Sequence, residues 1–315
     1  MLTKNFWKRG LCIAAAVLMA GAMMPGMAQG GGDEQPVLNP RVKSTIEADG
    51  YRFIDLNGNG ELDVYEDWRQ DAQTRANDLV SQMTAREKIA QMQHPTYLPR
   101  ADGSIPSYLE KWCKTEGVGM LLIRELNSVE AAATSMNTIQ EFAEGSRLGI
   151  PVLVSMDSVH GLSYVTGATV TPHNLAMAAT RNEELVVKLA EIAREEHIAI
   201  GVRMTLSPEA DIASEPRWGR VMETFGEDPD LVTRMVTAQV IAFQNGADGL
   251  NIGSIVACMT SSLVKSDFTT STSGIRCPGF QKCVPTTRSR RLHFSEISVT
   301  LITEVFVASM QSSRQ

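Results

Sequence analysis

Ile150-Pro-Val-Leu-Val-Ser-Met-Asp157-Ser-Val-His160-Gly161 reads as a strand, Pro151 to Met156, that stops on a carboxylate. A short, mostly apolar run bounded by turn residues fits a strand buried on both faces, as in parallel sheets. Working outward, similar runs recur at Gly117 to Ile123, Val202 to Leu206 and Ile255 to Cys258. Helical patterns lie between them. Residues 75–93 hold apolar positions at helical spacing, with Thr84 and Glu87 as a capping box. Asn127 with Glu130 opens a helix to about Phe142, and Thr180 with Glu183 opens another whose Leu185, Leu189, Ile192 and Ala193 share one face. Asp228 followed by Pro229 caps a last one, to about Phe243. Alternating strands and helices imply a parallel sheet, either a barrel or a doubly wound sheet. Polar clusters follow the strands at 157–161 and 207–220, where a barrel carries its functional loops, so the expected class is α/β of the (β/α)8 TIM-barrel type.

A dinucleotide fold is excluded. Gly117-Val-Gly119 lacks a third glycine and lies at the start of a strand, whereas a phosphate-binding loop follows one. At the N-terminus, Lys4, Lys8 and Arg9 precede an apolar stretch, Leu11 to Ala22, and the small-residue site Gly26-Met27-Ala28. That order predicts an export signal over residues 1–28, hence a secreted or periplasmic protein. Cys12 sits too early for a lipid-anchored cysteine, and no later run of eighteen apolar residues predicts a membrane span. The formal net charge is −7, and removing the signal takes away three positive charges. The last 57 residues carry seven Lys and Arg against three Asp and Glu, so the body between is strongly acidic. Such a body repels phosphate backbones and argues against a nucleic-acid partner. Cys113, Cys258, Cys277 and Cys283 show neither metal-site spacing nor a disulfide framework.

Residues 29–74 read as a leader holding Asp55-Leu-Asn57-Gly-Asn59-Gly60-Glu61-Leu-Asp63-Val-Tyr-Glu66. Asp55, Asn57, Asn59, Glu61, Asp63 and Glu66 fall at the alternating positions of a twelve-residue calcium loop, with Gly60 at its sharp turn. Short oxygen ligands at that spacing curl around the ion and a final Glu closes the shell. The expectation is a structural Ca2+ and no cofactor for catalysis. An Asx-rich turn that opens the next helix fits the same residues.

Two segments carry the chemistry. One is the strand quoted above with Gly167-Ala-Thr-Val-Thr-Pro172-His173-Asn174 behind it. The other runs Leu206-Ser-Pro208-Glu-Ala-Asp211, Pro216-Arg217-Trp218-Gly219-Arg220 and Glu223-Thr-Phe-Gly-Glu227-Asp228-Pro229. Carboxylates and guanidinium groups hold adjacent sugar hydroxyls, with an aromatic face close by. Asp157 at a strand end, with Arg217, Trp218 and Arg220 on a later loop, supplies those groups. His160 is a further substrate contact or a hydrogen-bonded turn residue before Gly161. His173 and Asn174 read as loop-orienting, Asp211 and Glu227 as structural, and His94 and Cys113 carry no role.

Both segments resemble the N-terminal barrel domain of glycoside hydrolase family 3, the β-glucosidases and exo-β-glucanases, over residues 75–258. The resemblance implies that about the first half of the barrel is present and that Asp157 and Arg220 bind hydroxyls of a terminal glucosyl unit. The implied partner is a β-glucoside or β-glucan oligosaccharide, and the implied reaction is retaining release of terminal β-D-glucosyl residues. A calcium-like loop before the barrel also occurs in bacterial members. After Cys258 the family continues with a Lys-His-Phe motif, where this chain reads Met259-Thr-Ser-Ser-Leu-Val-Lys-Ser. In the family the nucleophilic Asp follows on a later strand in a Ser-Asp-Trp context, and the general acid comes from a second domain. Residues 259–315 are rich in Ser and Thr, turn basic, and lack caps or alternation, so they are expected to be a disordered, non-family tail. Ser266-Asp267-Phe268 mimics the nucleophile motif without a core strand before it. A shifted reading frame after residue 258 accounts for these changes, and a catalytically incomplete fragment is expected. The other reading is a non-catalytic carbohydrate- or calcium-binding module.

Overall fold

The computed structural model describes residues 35–100, 105–247, 250–251 and 253–258. The expected export signal, the tail and Ser266-Asp267-Phe268 lie outside the described residues. A hairpin comes first, β1 (Thr45–Ala48) antiparallel to β2 (Tyr51–Ile54), with Thr45 opposite Ile54. Its turn residues Asp49 and Gly50 both have positive φ, 53° and 81°, the two-residue turn that matches strand twist. In the preceding leader, Glu144 Oε1 accepts the successive backbone N–H groups of Arg41, Val42 and Lys43 at 2.7–2.8 Å, Arg41 also donates to Asn137, and Gln35 pairs with the Arg52 backbone.

The expected helix over 75–93 is two helices, α1 (Ala72–Gln82) and α2 (Ala85–Ala90). Chain direction changes at Met83 because Thr84 forms its capping box with Glu87, which starts a new helix. Then follow β3 (Thr96–Tyr97), α3 (Ser107–Glu110) with a π-helical extension over Lys111–Glu116, and β4 (Met120–Ile123). Gly117, expected inside a strand, instead ends that helix in the left-handed region at φ 72°. Next come α4 (Val129–Glu144), β5 (Leu153–Met156), α5 (Asn174–Ala179), α6 (Glu183–Ala199), β6 (Met204–Thr205), α7 (Pro229–Phe243) and β7 (Val256–Ala257).

Five strands form one parallel sheet in the order β3-β4-β5-β6-β7, an α/β arrangement with each neighbour reached through a helical crossover. Four of these strands were legible in the sequence, each a few residues too long. Side chains alternate across the sheet. Leu121, Ile123, Val154 and Met156 face the helices and join Ile139 of α4 in the main core, each at most 1% exposed. Burying each such side chain contributes roughly 1.5–3 kcal/mol. Met120, Leu153, Met204, Leu206 and Val256 form a separate cluster on the other face. One step further along that second face stand Arg124, after β4, and Asp157, after β5.

Two helix starts differ from expectation. Ser128, rather than Asn127, caps α4 by accepting the Ala131 N–H. Asn182 caps α6, because Thr180 already closes α5, its hydroxyl donating to the Met177 carbonyl at 2.6 Å. The buried face of α6 is also rotated: Val186, Ala190, Ala193, Arg194 and His197 point inward, while Leu185 and Ile192 are 37% and 41% exposed. Small residues allow α6 to lie close against its neighbours, and longer ones there would hold it off. Among the described residues no helix is long and apolar enough to cross a membrane.

Candidate functional site

The strand ends converge on a cleft of about 460 Å³, lined in part by Arg124, Asp157, His160, Tyr164, Glu209 and Arg220. A smaller cavity of about 100 Å³ lies under the leader, beside Trp68 and Glu144, away from this polar cluster. Parallel pairing explains the convergence. Ile123 pairs with Met156 and Met156 with Thr205, so residues 124, 157 and 206 stand side by side at one height. Their spacing follows the strand separation of about 4.8 Å.

Asp157 is mostly buried and paired with Arg124 across the two strand ends. Arg220 is half-exposed and held by two carboxylates. Its Nε and Nη2 donate to Glu223 Oε2 at 3.0 and 2.6 Å, and Nη2 lies 2.8 Å from Glu209 Oε2. The Glu209 side chain is only 2% exposed, so Arg220 is anchored on a buried charge. The hydrogen bond to Glu223, and after it the nearby carboxylates, raise the guanidinium pKa further. It stays charged at any working pH. Asp157 and Arg220 are thus brought to the rim of one cleft from different loops.

Gly161 fixes the shape of the Asp157 loop. It has φ 76°, and a Cβ there would come 2.4 Å from the Thr169 carbonyl oxygen. The return strand closes against it, with Thr171 N–H donating to the His160 carbonyl and Leu162 N–H to that of Thr169. His160 stacks on His173, centroids 4.3 Å apart. Burial first, and then His173, lower the His160 pKa, so it stands neutral at pH 7. Asn174 donates to the Glu223 carbonyl at 2.8 Å, tying the start of α5 to the Arg220 loop.

Beneath Asp157, Ser158 and His197 form a buried pair. His197 Nδ1 lies 2.6 Å from the Ala193 carbonyl, which only accepts, so that nitrogen carries the proton and Nε2 accepts from the Ser158 hydroxyl. Burial pushes the His197 pKa down to about 4. On the strand itself, Ser155 Oγ meets His94 Nε2 at 2.7 Å.

Arg217 and Trp218 do not line the cleft. The Arg217 side chain is 88% exposed and forks onto Glu215 at 2.8 Å, an ion pair two residues away that holds it outward. Sequence reasoning missed Arg124 and Glu209. Arg124 carried the same signal as Asp157, a charge one residue past an apolar strand.

The loop at 55–66 is closed by its own hydrogen bonds. Asp55 accepts the N–H groups of Gly58, Asn59 and Gly60, while Glu66 accepts those of Leu56, Asn57 and Asp63. Asn57 and Asn59 both turn their amide nitrogens to Asp63 Oδ2 at 2.7 Å. Glu61 is exposed, with its N–H on Asn59. Among the described residues no three His, Cys, Asp or Glu side chains converge as a metal-binding group.

A parallel sheet with helical crossovers and a charged cleft at its strand ends defines a domain of the barrel-enzyme class. Residues 84–260, more than half of the chain, match the glycosyl hydrolase family 3 N-terminal domain, and the chain belongs to that family. It is 40% identical over 240 residues to a periplasmic β-glucosidase/β-xylosidase of Dickeya chrysanthemi, covering 71% of this chain and 36% of the relative. Among solved structures it resembles a β-glucosidase from Erythrobacter marinus, with 32% identity and TM-score 0.56 over 63% of this chain and 26% of that one. An exo-1,3/1,4-β-glucanase from a Pseudoalteromonas species matches with 27% identity and TM-score 0.54, over 62% and 25%. The corresponding domains are (β/α)8 barrels, of which this chain covers part. It spans between 15% and 36% of the length of the curated relatives it matches.

Proposed function

We propose that the cleft holds the terminal sugar of a β-glucoside or related β-glycoside, as the sugar-binding part of a retaining glycoside hydrolase. One observation carries this reading: Asp157 and Arg220, from separate loops, meet at one cleft, each held in place by an ion pair. Sugar hydroxyls donate to a carboxylate and accept from a guanidinium, and both groups are oriented before any ligand arrives. The relatives named β-glucosidase and β-xylosidase support a glycosyl substrate with a β linkage. Titrating the full chain with glucono-δ-lactone tests it. Binding that Asp157→Asn and Arg220→Gln each weaken is the expected result, and binding indifferent to both changes refutes it.

Retaining hydrolysis requires two carboxylates about 5–5.5 Å apart, one attacking the anomeric carbon and one protonating the leaving oxygen. Asp157 is committed to Arg124 and Glu209 to Arg220, so both act as holders of charge and hydroxyl groups. We infer that these 315 residues do not turn over glycosides by themselves and act as a binding module. A nitrophenyl β-glucoside assay reads this directly. Turnover overturns it, and turnover abolished by Asp267→Asn would assign the nucleophile to Asp267. Export through residues 1–28 is part of the same reading, supported by the periplasmic relative.

A second reading rests on Asn57 and Asn59, whose amides meet the same Asp63 oxygen. Turning each amide over, at the cost of the bonds its oxygen accepts from the Asn59 or Glu61 N–H, presents two oxygens beside a carboxylate, an oxygen-only donor set suited to Ca2+. With Asp55 and Glu66 these residues would hold the ion, which would neutralise the loop's carboxylates.

A further inference from the structure

Arg124 stands one residue past β4, directly beside Asp157, because Ile123 and Met156 are paired in register. It is placed by backbone pitch and not by a loop. Its guanidinium touches Asp157 Oδ2 and lies over the Tyr164 ring, Cζ 5.8 Å from the centroid. All three side chains line the cleft, and the Arg124 side chain is 41% exposed against 15% for Asp157.

A guanidinium has five N–H donors in a fixed fork and no acceptor, whereas a carboxylate only accepts. A hydroxyl group does both. One hydroxyl set in the cleft against both Arg124 and Asp157 therefore gives its proton to the carboxylate and receives an N–H from the guanidinium. Mere neutralisation of Asp157 would need neither the Tyr164 ring beside the cation nor a guanidinium-bearing side chain 41% exposed at the cleft, and a lysine would serve. The guanidinium offers its donors in a fixed planar fork, which a flexible ammonium does not have.

We propose that Arg124 is a further sugar-contacting residue, which with Asp157 selects the hydroxyl at one position of the bound ring. This rests on the reading of the cleft as a sugar site. The test titrates the full chain with glucose and with each of its monodeoxy analogues, using the unaltered protein, Arg124→Gln, Arg124→Lys and Asp157→Asn, with far-ultraviolet circular dichroism as the check of folding. Arg124→Gln is expected to weaken glucose binding about 10- to 100-fold, the range for a hydrogen bond to a charged group. Against the analogue that lacks the selected hydroxyl the penalty should vanish, and Asp157→Asn should lose its penalty against the same analogue. Arg124→Lys should recover only part of the affinity with the same signature, and it carries the test should the Gln variant fail to fold. An equal penalty against every analogue, or none at all, overturns the proposal while the sugar reading stands. Absence of binding by the unaltered protein, or binding that Asp157→Asn leaves intact, overturns the sugar reading and this proposal with it.

Discussion

Replacing His197 by glutamine should flatten the acid side of the stability profile. In the folded chain this imidazole is fully buried, donates to the Ala193 carbonyl and accepts from Ser158, and burial holds its pKa at about 4. In the unfolded chain it titrates near 6.5. As pH falls below 6.5 the unfolded state takes up a proton that the folded state refuses. The stability this group confers is therefore complete above 6.5, is lost progressively down to about 4, and changes no further below that. Two and a half units at 1.36 kcal/mol each amount to about 3 kcal/mol, a large share of the 5–15 kcal/mol typical of a domain. Glutamine can donate and accept at similar positions but does not titrate. Urea unfolding followed by tryptophan fluorescence at pH 8, 6, 5 and 4 should show the unaltered protein losing about 3 kcal/mol more than His197→Gln across that range. Parallel pH profiles for the two proteins would refute the reasoning, since the imidazole would then be protonated or reachable by water in the fold.

Glu87→Ala removes the capping box of α2 and the ion pair to Arg147, and should cost about 1–2 kcal/mol in the same unfolding assay. Hydrogen bonds from Arg147 hold the Glu87 carboxyl at about 2, so its contribution is present above about pH 4.5 and fades as pH falls toward 2. Glu209→Gln keeps the side-chain shape but removes the buried anchor of Arg220, and should weaken glucono-δ-lactone binding roughly tenfold with secondary structure unchanged. Unchanged affinity would mean that Glu223 alone positions the guanidinium. Chelation should lower the melting temperature, and Asp55→Ala combined with Glu66→Ala should abolish that shift. A chelator without effect on the unaltered protein would leave the loop as an Asx-rich turn.

Where one physical signal stood alone, the sequence was readable. Asp228 before Pro229 and Thr84 before Glu87 each marked a helix start that the structure reproduces. Where signals competed, the nearer contact decided. Thr180 and Asn182 are both good caps, but the Thr180 hydroxyl was already engaged in closing α5. The leucine and isoleucine stripe of α6 looked like its buried face, yet the adjacent stripe of smaller residues around Ala190 and Ala193 packs inward. The hairpin at Asp49-Gly50 carried a strong turn signal that was passed over, and β3 is two residues long, too short for any pattern. Asp157 and Arg220, read from a strand end and a motif, both line the cleft. Arg217 and Trp218 sit in the same motif but do not line the cleft, and Arg217 pairs locally with Glu215 instead. Glu209 was invisible for another reason: depth of burial comes from three-dimensional neighbours, which one carboxylate among several in a polar loop does not announce.

The fastening of the leader reaches beyond stability. Glu144 grips the main chain at three consecutive residues, Arg41 to Lys43, and reads nothing of their side chains. Any residue except proline, which lacks the N–H, can occupy those positions without loosening the grip. The main-chain part of the docking address is therefore written on α4, while Arg41 adds a side-chain bond to Asn137 and Gln35 pairs with the Arg52 backbone. Natural drift or a designer could rewrite Val42 and Lys43 letter by letter as long as Glu144 is kept.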